Sequence, residues 1–67
     1  MLFKELLAAK NMSAYRLVIL SGVPKTTIMS LTRGDRLFKN ITVDNAIKIA
    51  KALDMSVEDI YQVMYQE

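Results

Sequence analysis

The chain predicts an all-α fold, a compact bundle of five short helices. Three observations predict it. Apolar residues recur at three- and four-residue spacings along most of the 67 residues. Residues that cap helices (Ser13, Thr42, Ser56) stand just ahead of those stretches. Strand signals are weak, and the only two glycines and one proline all fall between positions 22 and 34.

The first helix is expected from about Leu2 to Lys10, with Phe3, Leu6 and Leu7 as its core stripe. Asn11, which tolerates a left-handed backbone, ends it. Ser13 caps a second helix from Ala14 to Leu20, and Met12 and Leu17 hold the two positions of a hydrophobic staple. Gly22 makes the corner that follows, because a positive φ costs glycine little. The third helix is expected from about Pro24 to Arg33, with Pro24, Ile28 and Leu31 on its buried side. After Gly34 the spacing predicts a plain connection from Asp35 to Ile41. Thr42 then caps a fourth helix, Val43 to Leu53, burying Ala46, Ile47, Ala50 and Leu53 and pairing Asp44 with Lys48. Ser56 caps the fifth, Val57 to about Tyr65, with Asp59 completing a capping box.

Composition narrows the classes of function. Hydrophobic residues are 52% of the chain, too many for a disordered tail and enough for one core. Without linker, repeat or low-complexity run, residues 1–67 read as a single domain. With no cysteine and no histidine, neither a disulfide nor a zinc site can staple it, so stability must come from helix packing, a partner subunit or both. Lys4 and Glu5 interrupt the one apolar stretch near the start, which argues against a signal peptide and for a cytoplasmic protein. No stretch approaches the ~20 apolar residues of a membrane span, and no helix pairs a broad apolar face with a cationic one, so no membrane partner is expected.

Enzymatic chemistry has little to work with. The seven acidic residues are scattered, no serine or lysine has an evident activating partner, and Gly22 and Gly34 are too isolated to cradle a phosphate. No catalytic residue, metal site or cofactor is expected. Charge is the more telling property. Residues 1–39 hold seven basic and two acidic side chains, a net of +5, whereas residues 40–67 hold two basic and five acidic, a net of −3. Such asymmetry suits one cationic face turned to a polyanion.

Two short helices joined by a tight glycine turn have the geometry of a helix-turn-helix, whose second helix enters the DNA major groove. A rotation of about 100° per residue turns Thr26, Met29, Ser30 and Arg33 away from Ile28 and Leu31, with Lys25 flanking them. That set is small, hydrogen-bonding and cationic, which suits base edges and phosphates. Lys25, Thr26, Met29 and Ser30 are therefore the candidate base contacts, and Arg33 at the helix end suits a phosphate. A solvated polar face would carry the same residue types.

The chain resembles the phage-repressor and Cro-like helix-turn-helix domains, the XRE type. The resemblance rests on Ser13-x-x-x-Leu17, Ser21-Gly22-Val23-Pro24, Thr27-Ile28, Leu31-x-Arg33-Gly34 and the stretch Ile49-Ala50-Lys51-Ala52-Leu53-Asp54-Met55-Ser56-Val57-Glu58-Asp59-Ile60. It implies a lambda-repressor-like five-helix domain that binds double-stranded operator DNA, usually as a symmetric dimer. Carried over by position, it puts base reading on Lys25, Thr26 and Ser30, with Met29 beside them. Phosphate contacts fall on Ser13, Ala14, Arg33 and the loop after it. Arg16, Thr27, Arg36 and Lys39 complete the candidate phosphate set.

Some positions depart from that family. A glutamine often opens the second helix, where this chain has Ala14, so Tyr15 or Arg16 would take over the anchoring. Val18 stands where a smaller residue is usual and implies slightly wider helix packing. Many members pair an arginine in the first helix with a glutamate late in the third; here the matching residues are Leu7 and Thr32. Losing both charges together strands neither.

Ile19 should face away from the core, and Phe38, Tyr61, Met64 and Tyr65 exceed what so small a core is expected to absorb. A homodimer through Tyr61, Met64 and Tyr65 is one expectation; a tail folded back on the first helix is the other. The leading reading is a sequence-specific DNA-binding regulator, a repressor because no activating or ligand-sensing domain is recognisable. The alternative is a protein-binding module on the same scaffold, an antitoxin or an inhibitor of a phage-defence enzyme.

Overall fold

The computed structural model describes residues 1–65. They form α1 (Phe3–Ala9), α2 (Ala14–Ser21), α3 (Lys25–Arg33), a 3-10 turn at Phe38–Asn40, α4 (Val43–Ala52) and α5 (Val57–Tyr65), with no strand among the described residues. α2 packs on both α3 and α4, α1 packs on α3, and α5 on α4.

The helix starts follow from local chemistry. Ser13 Oγ accepts the Arg16 N–H at 3.0 Å, Thr42 Oγ1 accepts the Asn45 N–H at 3.2 Å, and Ser56 Oγ accepts the Asp59 N–H at 2.9 Å. Asp59 returns the favour to the Ser56 N–H at 3.4 Å, closing the capping box. At α1 only half of such a box exists: Glu5 Oε1 accepts the Leu2 N–H at 2.7 Å, and leucine has nothing to offer in return.

Three helices end in the same way. Asn11 (φ 55°), Gly34 (φ 83°) and Asp54 (φ 56°) take the left-handed conformation. The next N–H then reaches back five residues: Met12 to the Leu7 carbonyl, Asp35 to that of Ser30, and Met55 to that of Ala50, each at 2.9 Å. This is the Schellman motif, which satisfies carbonyls that the helix leaves open. Met12 and Met55 pack back against the core as they leave these turns.

The core is led by Leu17, Val23, Ile28, Phe38, Ile49 and Ile60, all essentially inaccessible. Phe3, Leu6 and Leu7 are buried as the sequence predicts. Four expectations need correcting. Ile47 is 40% exposed while Ile49 is buried, because α4 presents Ala46, Ile49, Ala50 and Leu53 at i, i+3, i+4 and i+7, and Ile47 lies about 100° off position 46. Pro24 shares the azimuth of Ile28 and Leu31 but precedes the first turn of α3, so it stays exposed. Asp44 and Lys48 form no salt bridge: among the described residues the one ion pair is Arg33 with Asp35. The connection after α3 is not plain loop either. Its Phe38 is only 1% exposed, lying 6.4 Å from the Phe3 ring and meeting Tyr61 edge-on at 5.6 Å.

Candidate nucleic-acid interface

Gly22 forms the corner between α2 and α3 with φ 74° and ψ 8°. Its N–H closes the last turn of α2 on the Val18 carbonyl at 3.1 Å, and the Val23 N–H finds Ser21 Oγ at 3.2 Å. Val23 is thereby buried and α3 starts at once. The inner face of α3 is Thr27, Ile28 and Leu31. Opposite them, Lys25, Thr26 and Arg33 are exposed and Met29 and Ser30 are half-buried. With its side chains an α-helix is about 10–12 Å across, which fits the ~12 Å width of the major groove. A capped helix, a left-handed glycine corner and an uncovered polar face on the following helix make up a helix-turn-helix.

Comparison with known proteins agrees with that geometry. The family model of the Cro/C1-type helix-turn-helix DNA-binding domain matches residues 3–64. The chain belongs to that family. No match is found among curated proteins or among solved structures.

Within this Cro/C1-type domain the candidate residues divide into groups. Lys25, Thr26, Met29 and Ser30 share the outer side of α3. Ser13 and Arg16 line a shallow depression at the start of α2, joined there by Asn11 and Met12, and Ala14 beside them is half-buried. Ser13 accepts the Arg16 N–H through its oxygen and keeps its own O–H free to donate. Arg36 is tied to the end of α3, since its N–H and that of Asp35 both reach the Ser30 carbonyl, at 3.3 and 2.9 Å. Arg33 points from the last turn and engages Asp35 through Nε at 3.0 Å, both side chains largely exposed.

Thr27 is the exception among the candidate phosphate contacts. Its side chain is 8% exposed. Position 27 lies only about 100° from Ile28 on the helix circumference, so it falls inside the wide apolar arc that α3 turns to the core. Its side chain belongs to the packing and not to the surface.

Lys39 packs on the end of α5. Its N–H donates to the Tyr65 hydroxyl at 3.2 Å, and its ammonium sits 5.5 Å from the centre of the same ring. Lys4, which spacing does not single out, lines one groove with Arg33 and Arg36. Only the packing of α1 on α3 brings these cations together, from positions some thirty residues apart in the chain. Leu7 is buried and Thr32 Oγ1 donates to the Met29 carbonyl at 2.9 Å. Among the described residues no buried side-chain nitrogen or oxygen lacks a partner, so the missing arginine–glutamate pair strands no charge.

The three expected dimer contacts are engaged within the chain. Met64 packs on the core and its carbonyl accepts from the Met1 nitrogen at 3.4 Å, while Tyr61 meets Phe38 and Tyr65 edge-on. Tyr61 and Tyr65 still keep over a third of their surface open. Ile19 stands clear of the core as the sequence predicts, with 59% exposure, next to exposed Tyr15 and Leu20 on the same helix. No helix among the described residues is long and apolar enough to cross a membrane.

Proposed function

We propose that this Cro/C1-type domain is a sequence-specific transcriptional repressor, acting in the cytoplasm on a pseudopalindromic operator. α3 lies in the major groove. Lys25, Thr26, Met29 and Ser30 read base edges, while Ser13, Ala14, Arg16, Arg33, Arg36 and Lys39 hold phosphates. The observation that carries this reading is the uncovered outer side of α3, set against an inner side locked by Ile28 and Leu31. Repression needs no further machinery, because a bound domain occludes its site. A homodimer using the open faces of Tyr61 and Tyr65, beside Met64, would set two half-sites one turn apart, ~34 Å.

Selection from random duplex DNA with the purified chain tests the sequence reading and the dimer. A palindrome is expected. A single half-site would remove the dimer, and no enrichment at all would remove sequence-specific reading. The exposed Tyr15, Ile19 and Leu20 of α2 favour a protein partner as a second reading. Pull-down from the source cell with the parent and an Ile19→Glu variant separates the two: a partner lost only with the variant supports it.

A further inference from the structure

DNA binding does not account for the apolar walls of one groove of about 270 Å³, bounded by the start of α1, the end of α3 with the loop after it, and the end of α5. Leu2 and Leu37, each about half exposed, form apolar walls, and Phe38 lies at the base. Lys4, Arg33 and Arg36 line it too, and among the described residues no acidic side chain does. Asp35 takes only the Nε–H of Arg33, so four guanidinium N–H groups remain to donate. Among the described residues Lys4 and Arg36 have no carboxylate partner.

These features constrain the occupant. The volume is just under the ~300 Å³ at which sites for drug-sized ligands begin, and far too small for a helix about 10 Å across. A bare anion would leave Leu2 and Leu37 in water. An uncharged apolar molecule would leave Lys4, Arg36 and the remaining N–H groups of Arg33 without an acceptor. We propose that the groove binds a medium-chain fatty acid, its tail against Leu2, Leu37 and Phe38 and its carboxylate on Lys4, Arg33 and Arg36. Arg33 and Arg36 are also phosphate contacts in the function proposed above, and on that reading the bound acid competes with DNA. The groove is then an effector site that releases the operator.

The test has two arms. In the first, the full chain is titrated with octanoate by amide-resolved NMR. Saturable shifts are expected at Leu2, Arg36 and Leu37, with at least tenfold weaker binding for acetate, for octanol and for the Leu37→Ser variant. No saturation, octanol binding as tightly as octanoate, or undiminished binding to Leu37→Ser would each overturn the site. In the second arm, affinity for the selected duplex is measured with octanoate at ten times its own Kd. Exclusive competition weakens DNA binding about elevenfold per protomer in the parent, or about 120-fold for a dimer on two half-sites, and far less in Leu37→Ser at the same octanoate concentration. Octanoate binding without that loss overturns the coupling. Octanoate binding by a chain that selects no duplex at all would sink the repressor reading and leave the groove standing.

Discussion

Replacing Gly22 isolates the energy of the corner that presents α3. Its backbone sits at φ 74°, and a Cβ built there meets no atom within 4 Å. No clash contributes, so the cost of Gly22→Ala is the left-handed backbone alone, about 1–2 kcal/mol. In a domain of this size that lowers Tm by roughly 4–8 °C for each kcal/mol. Gly22→Asn should cost clearly less, since asparagine visits this region readily, as Asn11 does in this chain with φ 55°. A D-alanine at position 22, accessible by chemical synthesis, should instead stabilise by about 0.4–1 kcal/mol, because it prefers positive φ and restricts the unfolded chain. Gly34, at φ 83° with equally open space, should repeat the alanine result. Urea and thermal unfolding followed by circular dichroism give the numbers. Below its Tm, the folded Gly22→Ala variant should bind DNA like the parent, because nothing forces the corner to move. The reasoning fails if alanine costs no more than the ~0.5 kcal/mol of an ordinary surface change, or if D-alanine destabilises. A loss above about 4 kcal/mol would mean that the corner is crowded after all.

Phe38→Ala should cost about 3–5 kcal/mol, a large share of the roughly 3–10 kcal/mol expected for a domain of this length; denaturant titration checks it, with Leu37→Ala within about 0.5 kcal/mol as its control. Ser56→Ala should remove the Oγ half of the capping box, leave the backbone N–H of residue 56 on Asp59, and cost about 1 kcal/mol by the same assay. Arg33→Ala should weaken binding to every duplex alike and reduce the slope of log affinity against log salt by about one unit, read by anisotropy across a salt series. Lys25→Ala and Ser30→Ala should instead change the selected sequence, and variants that bind the parent's operator unchanged would show that another surface reads it.

What the sequence reveals and what it hides divide along physical lines. Ser13, Thr42 and Ser56 announce helix starts because their bonds reach only three residues ahead. Asn11 and Gly22 announce corners because φ is a property of one residue. Phe38 gives no such signal: its place between Phe3 and Tyr61 exists only once α1 and α5 have converged. Ile47 and Ile49 show how small the margin is. Both are β-branched and apolar, and a shift of only about 40° in the centre of the buried face decides which one is covered. At the candidate site, the outer residues of α3 follow from periodicity. The burial of Thr27 does not, because the width of the apolar arc is set by what α1 and α2 bring against it. Asp54 hid for another reason: left-handed aspartates are rare enough that the residue alone does not mark one.

The architecture separates reading from folding. α3 is held from within by Ile28 and Leu31 and bounded by left-handed glycines at both of its flanks, Gly22 and Gly34. None of these anchors is a side chain that DNA would touch. Even the loop carrying Arg36 is tied to α3 through the carbonyl of Ser30 and not through its hydroxyl. Ser30→Ala therefore removes a candidate base contact while leaving that loop where it is. Lys25 and Thr26, being exposed, are freer still. A scaffold with this division lets the outer residues of one helix change, and with them the operator it prefers, without touching the interactions that keep so small a domain folded.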